Sequence, residues 1–253
     1  MLSQLDQGVL TIEKHRTETL SMLLDRVRTE YGIDQSVPLT YAGRLDPMAE
    51  GLVLVLVGEV CKQKDTYTNL PKTYEFDIML GVSTDTHDVL GIIDEVSLDT
   101  TFSEEVIVET VQHFVGNTLF PYPMYSSRTV DGIPLFAYAR SGTVPREIPM
   151  QHGSVSCIKC RNVRTVSFAG CADTIIRDIA QVVGDFRQSE SSDAWRALQQ
   201  SNSAASVQII SCVAQVTSGV YIRTLAHELG KKLGVPALAY RIIRTRIGEY
   251  TLQ

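Results

Sequence analysis

Tyr41-Ala42-Gly43-Arg44-Leu45-Asp46-Pro47-Met48-Ala49-Glu50-Gly51 runs directly into Leu52-Val53-Leu54-Val55-Leu56-Val57. A carboxylate stands between a glycine and a proline, with a six-residue apolar run close behind. The glycines permit a tight backbone, and Pro47 drives Asp46 out of the helical region. The apolar run reads as a buried strand that anchors the turn. A carboxylate presented on such a turn is a candidate nucleophile or general base. An isolated Asp-Pro pair more often closes only its own turn, so the weight falls on the rest of the chain.

The 253 residues are 44% hydrophobic and 21% charged, enough to bury a sizeable core. No stretch approaches the roughly eighteen continuous apolar residues of a membrane helix. Met1–Gly8 lacks a basic flank followed by an apolar segment, so no signal peptide is expected and the protein is read as cytoplasmic. A net charge of −6 argues against nonspecific polyanion binding by the molecule as a whole. Two local excesses of base run against that total. Arg223, Lys231, Lys232, Arg241, Arg244 and Arg246 face one acid, Glu228, and residues 128–164 carry Arg128, Arg140, Arg146, Lys159, Arg161 and Arg164 against Asp131 and Glu147. Such segments suit a phosphate-tracking surface. The five cysteines include one close pair, Cys157 and Cys160, and no zinc set; reduced thiols at strand positions are expected.

Working outward, Val9–Ile12 reads as a short strand and Thr17 as the cap of a helix bearing Leu20, Leu23, Leu24 and Val27, stopped by Gly32. Ile33 to Thr40 reads as loop. Lys72–Met79 alternates, with Tyr74, Phe76 and Ile78 on one face. Residues 81–91 read as a polar loop between strands. Its Asp85, His87 and Asp88, with Asp94, match no calcium loop, and turn closure accounts for them better than a metal. Ser103 starts a second helix. Residues 120–146 form an irregular, aromatic and proline-bearing segment, a binding loop with a short helix at Leu135–Arg140. Ser154–Phe168 and Val207–Thr217 read as strands and Ser191–Gln200 as a surface helix; Ser218-Gly219 turns the chain into a helix with Ile222, Leu225, Leu229 and Leu233 on one side, closed by Gly234, and Arg241–Leu252 reads as a last strand. Without a convincing linker, residues 1–253 are expected to form one α+β domain with a mixed, largely antiparallel sheet.

Four blocks together resemble the TruB family of RNA pseudouridine synthases: Gly43–Gly51; Lys72-Thr73-Tyr74 with Leu80–Asp88; Pro123–Ser126 through Asp131–Arg140; and Ser218–Leu225, with Arg244–Gly248 also fitting. The resemblance implies the pseudouridine synthase fold and isomerisation of uridine to pseudouridine, with uridine 55 of the tRNA T-loop as target. It implies that Asp46 attacks a flipped nucleoside so that the base detaches, rotates and rejoins through C5. Arg223 is implied as the guanidinium partner of Asp46, Tyr74 as the aromatic stacked on the base, and Tyr221 and Ile242 as further contacts. Lys72 is implied as a loop support or phosphate contact. Residues 121–152 correspond to an RNA-gripping insertion whose Arg128 and Arg140 meet phosphates, giving position rather than sequence readout. The chemistry implied needs no metal, redox group or nucleotide cofactor. The partner implied is tRNA, through its T-arm, and the protein is expected to act as a monomer away from membranes.

Three departures from the family pattern stand out. Lys14-His15-Arg16-Thr17-Glu18-Thr19 replaces a Lys-Pro-x-Gly-x-Thr-Ser block. Tyr41 stands where histidine is common, and Arg44 replaces a smaller residue, so that it contacts RNA or pairs with Asp46. The chain reaches Gln253 without a PUA-type RNA-binding domain, so weaker, more salt-sensitive binding is expected. Two further readings remain: the same chemistry on another tRNA or rRNA uridine, and a noncatalytic RNA-binding or folding factor. Retention of Asp46, Tyr74, Tyr221 and Arg223 together favours an enzyme.

Overall fold

The Leu-Val run hides an alternation that composition alone does not display. In the computed structural model, which describes residues 8–252, Leu52, Leu54 and Leu56 pack with Ile247 on one face of the strand, while Val53 and Val55 enter the main core on the other. This strand, β3 (Ala49–Val57), therefore has both faces covered and needs no polar side. It pairs with β1 (Val9–Lys14) and β2 (Leu39–Ala42), both antiparallel. The reading of Met1–Gln7 falls outside the described residues.

The chain continues through β4 (Lys72–Leu80), β5 (Val82–Thr84) and β6 (Ile93–Val96), which pair with each other apart from the main sheet, then β7 (Gly116–Pro121), the separate small hairpin of β8 (Thr129–Val130) and β9 (Ile133–Pro134), β10 (Met150–Ser167), β11 (Ser206–Val216), β12 (Ala237–Ile247) and β13 (Tyr250–Thr251). The main sheet runs β1-β3-β12-β4-β11-β10-β7, with β2 and β13 appended. Every pairing is antiparallel except β3 with β12, which places Ile242 beside Ala49 and Arg244 beside Gly51. Gly51, at φ 104°, is required there, because a Cβ would strike the Arg244 backbone. The α+β, largely antiparallel architecture expected from the sequence is the one found.

Among the described residues seven α-helices dress the sheet: α1 (Leu20–Tyr31), α2 (Lys64–Thr68), α3 (Glu104–Gln112), α4 (Leu135–Arg140), α5 (Phe168–Gln181), α6 (Gln188–Ser201) and α7 (Ile222–Leu233). Ile107 and Val111 of α3 and Leu225 and Leu229 of α7 join Tyr74, Phe76 and Ile78 of β4 in the main core. No described helix is long and apolar enough to cross a membrane.

Several local expectations need correction. Thr19, not Thr17, caps α1, accepting from the Met22 amide, while Thr17 turns at φ 72° and donates its N–H to the Pro47 carbonyl. That residue serves the Asp-Pro turn instead of the helix. Residues 39–42 are strand, because β3 has an open ladder for them. The segment 121–152 is loop only between its ends: Pro121 still pairs in β7, Met150–His152 already pair in β10, and β8–β9 precedes the expected helix α4. Helix α6 lies at the surface as read, with Glu190, Asp193 and Arg196 exposed, but its other face is anchored by Trp195, which is completely buried against α5 and donates its indole N–H to Val89. Cys157 and Cys160 sit on β10 as read, and all five thiols are free.

Candidate active site

Asp46 occupies the turn between β2 and β3, and Ala49 closes that turn by donating to the Asp46 carbonyl at 3.0 Å. Two fully buried cations hold the turn from beneath. Lys14, at the end of β1, donates Nζ to the carbonyls of His15, Pro47 and Ala49 at 3.1, 3.1 and 2.5 Å. Arg244, in the middle of β12, donates to the carbonyls of Leu52, Arg44 and Gly43 at 2.7, 3.0 and 3.3 Å. Backbone acceptors on both sides of Asp46 are thereby satisfied by charged donors, which are the stronger kind. Burial pushes the Lys14 ammonium down to about 8.

Arg223 lies one residue into α7, where a cation opposes the helix dipole. Its surroundings offset that cost. Its Nε donates to Asp46 Oδ2 at 2.8 Å and lies 3.6 Å from Asp88 Oδ2; Nη1 donates to the Thr86 carbonyl at 2.5 Å and Nη2 to Tyr125 at 3.4 Å. The Arg223 side chain is 4% exposed, whereas that of Asp46 is 37% exposed. The guanidinium is thus locked in the wall and the carboxylate opens to the cleft. Burial pushes the Asp88 carboxyl up, with the Arg223 charge pulling against it.

The cleft above has a volume of about 910 Å³. Of the residues singled out from the sequence, Asp46, Tyr74, Arg223, Tyr221, Ile242, Lys72, Arg44 and Arg140 all line it; Arg128 does not. Tyr74 and Ile242 come from neighbouring strands and are nearly buried, at 7% each. Tyr221 stands edge-on to Tyr122 at 6.1 Å, and burial together with the Asp46 charge pushes its phenol up. Lys72 donates to the carbonyls of Thr68 and Leu70, both at 2.6 Å, and burial pushes it down to about 8. Of the two roles read for it, this geometry is that of a loop support. The exposed Arg44 makes no ion pair with Asp46, whose partner is Arg223. Arg128 lies over the Tyr122 ring at 5.3 Å. Arg140 is paired with Asp185, Nη1 to Oδ2 at 3.0 Å.

Sequence reading missed the roles of Lys14, Arg244 and Asp88. A charge at an inward position of an apolar strand was the available signal for the first two. Asp88 was weighed only as a metal ligand or turn residue. In the fold Asp85 pairs with Arg187, Asp94 accepts from Ser83, and His87 stacks on His227 at 3.9 Å. Among the described residues no group of three or more His, Cys, Asp or Glu side chains is placed to hold a metal ion.

Comparison with known proteins bears on the family and the fold. Residues 35–170 match the model of the TruB family pseudouridylate synthase N-terminal domain. A tRNA pseudouridine synthase B of Opitutus terrae is 29% identical over 245 residues, covering 97% of this chain and 83% of the relative. Another, from Bacillus pumilus, is 29% identical over 246 residues, covering 97% and 66%. Among solved structures, a Cbf5-Nop10-Gar1 complex superposes with a TM-score of 0.60 at 15% identity, and an H/ACA RNP bound to a substrate RNA containing 2′-deoxyuridine with 0.58 at 14%. These share the fold over 97% of this chain, which spans about half the length of the solved chains. The family match covers more than half of the sequence and includes the Asp46 turn, Tyr74 and the 121–149 loop, so the chain belongs to the TruB family of pseudouridylate synthases.

Proposed function

We propose that this chain isomerises uridine 55 in the T-loop of tRNA to pseudouridine, acting as a monomer in the cytoplasm with Asp46 as nucleophile. The observation that carries the reading is the Asp46–Arg223 pair at 2.8 Å at the base of a cleft walled by Tyr74, Tyr221 and Ile242. A uridine inside a folded RNA cannot reach such a carboxylate, so it must be flipped out, and an aromatic wall is the natural host for an unstacked base. Tyr74 stacks on the uracil while Ile242 packs beside it.

In the reaction Asp46 attacks the flipped nucleoside and the N1–C1′ bond breaks. The detached uracil rotates within the cleft, and C5 bonds to C1′ as the bond between C1′ and the Asp46 oxygen breaks, which frees the carboxylate. The C5 proton is lost and N1 gains one, so the composition of the RNA is unchanged. Arg223 holds the carboxylate aimed, a role that its burial, its three hydrogen-bond acceptors and the nearby Asp88 carboxylate support. The apolar walls keep water from the intermediate, which would otherwise be hydrolysed to free uracil and an abasic site. Arg44, Arg128 and, once released from Asp185, Arg140 meet phosphates around the mouth. Lys72 supports the segment 68–72 beneath the cleft.

Incubation with unmodified tRNA transcript, followed by carbodiimide-primer extension, tests the proposal. A single stop at position 55, absent with Asp46→Asn, is expected. A stop at another uridine keeps the chemistry and moves the substrate. RNA binding without any stop on tRNA or rRNA would favour a noncatalytic factor.

A further inference from the structure

Residues 183–187, on the segment that joins α5 to α6, form one wall of the cleft, and the chemistry above uses only Asp185 there, as the partner from which Arg140 is released. The family match ends at residue 170, just where this helical hairpin begins. Arg187 is its most constrained member. Its backbone sits in the left-handed region at φ 59°, a conformation that glycine adopts far more readily. Its side chain makes a two-pronged pair with Asp85, Nη1 to Oδ2 at 2.6 Å and Nη2 to Oδ1 at 3.1 Å. The same guanidinium lies over the Tyr125 ring, its Cζ 4.3 Å from the ring centre.

Both partners lead to Arg223. Asp85 precedes Thr86, whose carbonyl accepts from Arg223 Nη1, and Asp88 follows two residues later; Tyr125 supplies the carbonyl that accepts from Nη2. The start of α6 is fastened to the same loop by Ser191, donating to the Gly91 carbonyl at 2.9 Å, and by Trp195, donating to Val89 at 3.1 Å. Through Tyr125, Arg187 ties this fastened loop to the 121–149 segment. Only a planar fork can pair with a carboxylate through two bonds and stack on a ring at once.

We propose that Arg187 is a positioning residue for the isomerisation, fixing Asp85 and Tyr125 so that Arg223 stays aimed at Asp46. The proposal rests on the function proposed above. Its test is a single-turnover assay on tRNA transcript with enzyme in excess, comparing the intact protein with Arg187→Lys and Arg187→Ala. In that regime the rate constant at saturation does not depend on the folded fraction, which appears in the amplitude. Both variants are expected to lose about tenfold in rate constant, since small misplacement of reacting groups has that cost. Affinity for RNA should stay within about twofold, as it does when only transition-state interactions are lost. The NMR signal of the Arg223 Nε–H, assigned by its loss in Arg223→Lys, is expected to shift or broaden in both variants without RNA. An unchanged rate constant with a reduced amplitude would make Arg187 merely structural, and weakened binding at an unchanged rate would make it an RNA contact; either overturns the proposal. A wild type silent on RNA would fail the function reading alone, and an unmoved Arg223 signal would then still overturn the positioning role.

Discussion

The two sides of the cleft are built on opposite principles. Beneath Asp46, Lys14 and Arg244 are fully buried, and each satisfies three backbone carbonyls of the turn or its flanks. Across the mouth, the 121–149 segment meets the 183–187 wall through Arg140 and Asp185, whose side chains are 40% and 80% exposed. Buried charge-assisted bonds fix geometry, whereas an exposed ion pair contributes little and exchanges readily. The floor is therefore suited to hold a reacting carboxylate still, and the rim to trade an internal carboxylate for an RNA phosphate.

The sharpest way to separate floor from rim is Asp46→Asn. It is expected to abolish isomerisation while leaving RNA affinity within a few-fold, read by primer extension and filter binding on the same preparation; full turnover would remove Asp46 as nucleophile. Breaking the floor itself comes next. Arg244→Leu strands three backbone carbonyls, that of Leu52 buried, and should cost about 3–5 kcal/mol of stability in urea unfolding, as for other broken buried charge networks. A loss comparable to that of a surface arginine would mean that the clamp is not rigid.

A pH series sharpens the same contrast. Burial pushes both Lys14 and Lys72 from 10.5 down to about 8 in the folded protein. Between those values the unfolded chain binds more protons than the folded one, so their contribution to stability rises with pH from about 8 to 10.5. Lys14→Met should flatten that rise by on the order of 1–2 kcal/mol between pH 8 and 10. An unaltered slope would show that Lys14 titrates normally. The smallest effect belongs to the rim: Asp185→Ala should leave stability within about 0.5 kcal/mol. By sparing the release of Arg140 it should tighten RNA binding by about two- to fivefold, whereas Arg140→Ala should lower the slope of its salt dependence by about one unit. Binding that ignores both Asp185→Ala and Arg140→Ala would remove the exchange.

Much of this was legible in the chain. Tyr74, Phe76 and Ile78 announced their buried face by alternation, α7 its limits by Gly234, and α4 its place within the proline-bearing segment. The blocks around Asp46, Tyr74 and Arg223 named the family and the residues that converge on the cleft. Those signals are local, arising from periodicity, caps and turn chemistry that act over a few residues. Sequence alone also placed Thr17 as a cap, because a threonine before an apolar helix commonly is one, and it left Asp88 among turn residues.

The tertiary structure decided what depends on partners far apart in the chain. That Arg244 lies under Gly43 and Arg44, 201 and 200 residues away, follows from the parallel register of β3 and β12. That Asp88 backs Arg223, and that Arg187 reaches Asp85 across 102 residues, follows from how α6 and α7 dock. Local pattern says which side chains face inward. Only the packed fold says which buried charge finds which acceptor, because that pairing is fixed by long-range geometry and the cost of leaving a buried polar group alone.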